Sequence, residues 1–345
     1  MSAFLMHRLA ALAIVVIAFT LVGVGQQASP GASIQNEVAR VRAQINASVP
    51  EDQRAPLLQR LDRADAAMKA QRTYQSLYLM ESAYEGAAAF AFAGSAGVTS
   101  ANDFVRKWTE LGAPKPHSGN PGRVPAVVDA LAEAAEDRGG ATYQASRPYA
   151  EDAGTQFGLY YLGESRAVMN FAAFARSGTW PDAGRRPAFR SIAPELAALD
   201  REMTTKYESM ERANHPTYIR ASAALKQARS LSDHGALEGA LLQYLLSQYL
   251  FAPLRGPAGA EVTRARIDAL RATLPAATDH SIARLFIEFA DEGLASDNAD
   301  LRRGAAAVID DVIPAYLAAL APIGAPTPSN VQAAATITLV RWPFT

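Results

Sequence analysis

The chain has 345 residues, 49% of them hydrophobic and 19% charged, which supplies apolar material for a large core. The formal net charge is −1, so no basic field exists to attract nucleic acid or anionic lipid, and both are disfavoured as partners. There is no cysteine, which excludes disulfides, thiolate metal sites, c-type haem attachment, cysteine nucleophiles and a lipoprotein anchor together.

The N-terminus reads as an export signal. Arg8 closes a short leading region, Leu9 to Gly25 is an uncharged apolar run, and small residues around Gly25 and Ala28 suit a signal peptidase. Residues 1–28 are therefore expected to be a signal peptide, with the mature chain periplasmic or secreted. The alternative is an uncleaved N-terminal anchor with the rest facing outward. That segment would be the only contact with a membrane, since no later run approaches about 20 apolar residues.

Helical stripes follow in order. Ile34, Val38, Val41 and Ile45 share one face, as do Leu57, Leu61, Ala64 and Met68. Tyr74, Leu77, Tyr78 and Tyr84 open a helix that turns almost wholly apolar. Phe104, Val105, Trp108 and Leu111 line a short helix stopped by Gly112 and Pro114. After a Pro/Gly-rich loop, Pro125 opens a helix expected to end at Gly139 and Gly140. A long apolar helix then reaches Arg176.

The stretch from Ser177 to Arg190 is the best break, giving an N-terminal helical half over 33–176 and a C-terminal half over 191–321. The second half opens with the near-heptad stripe Leu196, Leu199, Met203, Tyr207 and Met210. Pro314 is expected to kink its last helix. The fold class is all-α, an array or bundle of about eleven helices joined as hairpins.

One stretch has a more particular pattern. Leu225, Ala228 and Leu231 lie on a first helix, Gly235 in a turn, Ala240 and Tyr244 on a second helix, and Pro253 at its exit. Over these residues, 225–253, the chain resembles a tetratricopeptide hairpin, which implies TPR-like, solenoid-like stacking. Leu61, Ala64 and Leu77 echo it.

Chemistry-bearing residues are sparse. His234 and Glu238 stand four apart and could share a metal ion. Yet Ser232-Asp233 and Thr278-Asp279 read as helix N-caps, which makes His234 and His280 first-turn residues. No HExxH or paired Glu-x-x-His occurs, and no cofactor is expected. Glu288, Asp291 and Glu292 read as a solvated face ending at Gly293, as do Asp310 and Asp311; the alternative is a Glu288 partly buried between Phe286 and Phe289, with a raised pKa and general-acid potential. Arg176, Arg185, Arg186 and Arg190 border a loop carrying Trp180. Trp180, Arg185, Arg186 and Arg190 are the candidates for binding a carboxylate or phosphate.

From Ala335 to Trp342 the chain alternates like a strand and stops at Pro343, which marks 335–345 as a docking tail that lies in a helical groove anchored by Trp342 and Phe344, pairs with a short strand of the same chain, or adds to a sheet of another chain. Its Leu339, Trp342 and Phe344 are candidate partner contacts. The functional expectation is an exported, non-catalytic helical protein that binds another envelope protein or a peptide. The alternative is a periplasmic small-molecule or metal-binding protein, or an enzyme using the Arg/Trp loop or the His/Glu pairs.

Overall fold

A computed structural model describes residues 30–114, 124–150, 155–181, 183–256 and 261–321. The export segment 1–28 and the tail 335–345, with Leu339, Trp342 and Phe344, lie outside these residues. Among the described residues the protein is all-helical, and extended pairing is limited to two isolated bridges. No described helix is long and apolar enough to cross a membrane.

The first run of helices is α1 (Pro30–Ser48), α2 (Glu51–Lys69), α3 (Thr73–Ser95), α4 (Ala101–Leu111), α5 (Ala126–Ser146) and α6 (Thr155–Ser177). The stripe Ile34, Val38, Val41 and Ile45 is buried on α1. Ser100 caps α4 by accepting from the Asp103 N–H, and Gly112, at φ 65°, ends it. α5 runs through Gly139 and Gly140 instead of stopping there. The missing side chain is used for packing: a Cβ on Gly139 would lie 3.2 Å from the Ser165 carbonyl oxygen of α6.

The second run is α7 (Ala193–Tyr207), α8 (His215–Asp233), α9 (Leu237–Arg255), α10 (Arg264–Ala272), α11 (Ser281–Leu294), α12 (Ala299–Ala307) and α13 (Ile313–Ala319). A π-helical turn, Val308–Val312, joins the last two. It sits directly ahead of Pro314, whose lack of an N–H breaks the α-helical ladder there. Pro253 lies inside α9, which ends only at Gly256, with φ 138°.

The expected caps at Ser232 and Asp233 are corrected: both belong to the last turn of α8. Gly235 adopts φ 77°, the Gly235 N–H donates to the Ser232 carbonyl (3.1 Å), and the Ala236 N–H donates to the Leu231 carbonyl (2.9 Å). That is a C-terminal stop, so His234 follows a helix and does not begin one.

Adjacent helices pair as α2–α3, α5–α6, α8–α9 and α11–α12. The pairs do not stack in chain order: α3 lies against α6, and α5 against α9. α11 packs on α3, α5 and α12, which ties both runs into one core.

The two runs repeat one another. α2 and α8 are both 19 residues long. Leu61, Ala64, Gln71 and Leu77 keep the spacing of Leu225, Ala228, Gly235 and Leu241, and both turns pass through a left-handed residue, Gln71 (φ 59°) and Gly235 (φ 77°). Glu133, Ala135, Glu136 and Asp137 of α5 match Glu288, Ala290, Asp291 and Glu292 of α11. The contacts are reciprocal as well. α5 meets α9 and α11 meets α3. Glu133 accepts from the Gly239 N–H (2.8 Å), and Glu288 accepts from the Gln75 N–H (2.6 Å). Gln75 and Gly239 are each the third residue of their helix, so each run supplies a carboxyl to a buried N–H group that lacks an intrahelical partner at the start of a helix of the other.

Candidate functional site

Most of α5 is buried, so its polar residues need partners. Arg176, at the end of α6, pairs with Asp129 (3.1 Å) and with Glu136. Arg186 pairs with Asp129 (2.6 Å) and Glu238, and donates to the Val124 carbonyl (2.6 Å). Two bridges hold the Arg186 loop in place. The Arg185 N–H donates to Ala277 (3.0 Å), and its carbonyl accepts from the Asp279 N–H (2.8 Å). At the other end, the Arg190 N–H donates to Ala319 (3.0 Å), and the Ala321 N–H donates to Ala188 (2.8 Å).

The Asp129, Glu133, Glu136 and Glu238 carboxyls lie around two guanidinium groups, Arg176 and Arg186. Burial pushes the Glu238 carboxyl up to about 7, with Glu133 and Asp129 adding to the effect and Arg186 opposing it. Glu133 is raised for the same first reason, against the stabilising Gly239 N–H.

The other predicted site residues lie apart from this cluster or face the protein. Trp180 stacks on Tyr74 (6.3 Å between centroids) and donates its indole N–H to the Ala175 carbonyl (2.9 Å). Arg190 pairs with Glu195 (2.6 Å) and donates to the Ala318 carbonyl (2.8 Å). Arg185 is exposed.

His234 projects into solvent, 3.8 Å from Asp137, while Glu238 turns to Arg186. His215 stacks on Tyr207, and His280 is buried with Nδ1 2.9 Å from the Tyr316 hydroxyl. The three histidines thus occupy separate environments. Among the described residues no group of His, Asp and Glu is arranged to hold a metal ion.

The acids of α11 are not a solvated face. Glu288 meets α3, Glu292 pairs with Arg63 (2.9 Å), and Asp291 pairs with Arg264 (2.5 Å) and Arg271. Sequence reasoning also missed Arg138, which pairs with Glu81 (2.7 Å) and Glu85 (3.1 Å) of α3. Burial, aided by Glu164, raises the Glu85 carboxyl to about 8 against Arg138. Two glutamates four apart in an otherwise apolar helix were the available signal.

An open groove of about 540 Å³ among the described residues is lined by Arg201, Glu202, Thr205, Lys206, Ser209, Phe251 and Arg255. It lies between α7 and the end of α9. Arg255 binds Glu202 through two nitrogens (2.7 and 2.9 Å), reaches Asp311 (3.3 Å), and lies 5.3 Å from the Phe251 ring centroid. The Arg201 and Lys206 side chains have no carboxylate partner among the described residues.

In the first run, α1 closes onto both α2 and α3 and buries four aliphatic side chains. Its counterpart α7 buries Leu196, Leu199 and Met203, but leaves Tyr207 51% exposed at its end. α7 packs on both α8 and α9, as α1 packs on α2 and α3. No family model, no curated protein and no solved structure matches this chain.

Proposed function

We propose that the chain is an exported, non-catalytic helical scaffold that holds a segment of another envelope protein. On this reading the α8–α9 hairpin is a TPR-like unit that helps to build the binding groove. The groove between α7 and α9 carries the proposal. α7 packs on both α8 and α9, as α1 does on α2 and α3, and the groove opens where its last turn passes the end of α9. Its lining offers charged groups and two hydroxyls, with the buried Phe251 ring beneath Arg255, a mixture suited to an extended chain that brings both backbone and side-chain polar partners. The arginines beside Trp180 favour this site by contrast, because Arg176, Arg186 and Arg190 are already matched to carboxylates inside the protein. Leu339, Trp342 and Phe344 offer the partner a second contact.

Site-specific crosslinking tests the proposal. A photoreactive residue at Thr205, in protein exported by its native host, is expected to capture one dominant envelope protein. The same residue at exposed Gln53 of α2 should not. Equal, diffuse labelling from both positions would overturn the reading.

A further inference from the structure

The groove also carries information about what enters it. Resting on the scaffold reading above, we infer that the groove selects an acidic segment, with Arg201 and Lys206 receiving Asp or Glu carboxylates of an extended peptide. The lining holds three cations, Arg201, Lys206 and Arg255, and a single carboxylate, Glu202. Glu202 is consumed by its two-bonded pair with Arg255, and Asp311 approaches the same guanidinium. What is left to face a ligand is therefore cationic.

Hydroxyls lie between and beyond the two cations. Thr205 donates to the Arg201 carbonyl (3.0 Å), which leaves its oxygen to accept from a peptide N–H. Ser209 lies one turn further along the groove. Arg201 is exposed, so its positive charge is not required by the interior. The whole chain is close to neutral, and selection must come from these local charges and not from a long-range field. A concave lining with hydroxyl groups suits a peptide backbone better than a flat anionic bilayer.

The test uses full-length mature protein and two labelled decapeptides, one alternating Glu with Ser and one alternating Gln with Ser, followed by fluorescence anisotropy at low salt. The Glu peptide is expected to bind, with the Gln peptide about tenfold weaker. The double variant R201E/K206E should lose the Glu peptide by a similar factor and gain affinity for a Lys-containing analogue, with an unchanged melting curve. Equal binding of the Glu and Gln peptides, or a Glu peptide indifferent to R201E/K206E, would overturn the inference. So would charge-dependent binding only to phosphatidylglycerol vesicles, which would assign the cations to a lipid surface. If Thr205 still crosslinks a partner while the Glu peptide fails to bind, the scaffold reading stands and acidic selection falls. If both fail, both fall.

Discussion

Asp279 holds the first turns of two helices with one carboxylate. One oxygen accepts from the Ser281 N–H (2.9 Å) at the start of α11, and the other accepts from the Ala126 N–H (2.6 Å) at the start of α5. The residue is 2% exposed, so removing it strands two buried donors that water cannot easily reach. Asp279→Ala is therefore expected to cost about 2–4 kcal/mol in urea denaturation, and Asp279→Asn, which keeps one acceptor, about half that. Thr278-Asp279 before an apolar helix marked the start of α11, but the N-cap position is His280, not a first-turn residue, and Asp279 reaches the Ser281 N–H from one residue earlier. The bond to α5 was not legible, because it spans 153 positions and leaves no local pattern. The similar segment Ser232-Asp233-His234 misled for a definable reason. The next residue is Gly235, which adopts the left-handed conformation and turns the same letters into a helix end. Its counterpart Gln71 takes φ 59° with a side chain that costs strain there, and it is exposed. Gln71→Gly should thus gain up to about 1 kcal/mol, read as a higher urea midpoint.

At the scale of elements, the apolar stripes were the readable part. α1 buries the four residues its spacing selects, and α4 begins and ends at its cap and its glycine. Helix length was less readable where glycine serves packing, as in α5. The same use of glycine appears between α11 and α12. A Cβ on Gly293 would lie 2.4 Å from the Leu301 carbonyl oxygen and 2.7 Å from the Ala305 Cβ, both on the neighbouring helix. Backbone cannot yield as a flexible side chain does, so Gly293→Ala must push the two helices apart. The expected loss is about 1–3 kcal/mol. Gly140, in α5, has nothing within 4 Å of a built Cβ. Gly140→Ala should instead gain up to about 1 kcal/mol from helix propensity. Opposite shifts of the urea midpoint in these two variants check the assignment; destabilisation of similar size in both would contradict it. The groove residues escaped sequence reasoning because Arg201, Thr205 and Lys206 look like any polar helix face. Only the placement of α7 relative to α9 distinguishes them.

At the scale of the whole molecule, several buried carboxyl groups among the described residues hold their protons more tightly than usual. The reciprocal contacts make this a shared feature of both runs: Glu288 meets α3 as Glu133 meets α9. Burial raises Glu288 to about 8, with Asp291 adding to it and the Gln75 N–H and Arg72 opposing it. Glu85 is also raised to about 8, and Glu238 to about 7. Each of these groups holds its proton more tightly in the folded chain than in the unfolded one, where the ordinary value is 4.5. The folded state therefore binds more protons than the unfolded state between pH 4.5 and about 8, and stability must fall as pH rises through that window. The stabilising contribution is complete below the unfolded value and is lost as pH climbs through the folded one. The melting temperature should accordingly be several degrees higher at pH 5.5 than at pH 8, at constant ionic strength. The variant E85Q/E238Q/E288Q, which carries neutral amides in the three positions, should show a much flatter profile. Arg138, Arg186 and Arg72 temper the effect by favouring the charged forms of Glu85, Glu238 and Glu288, and Glu85→Gln or Glu288→Gln alone should each remove a larger share than Glu238→Gln. A melting temperature that rises from pH 5.5 to pH 8 in the parent protein would mean that these carboxyls are charged in the folded state, with the buried arginines, and not retained protons, balancing the interior.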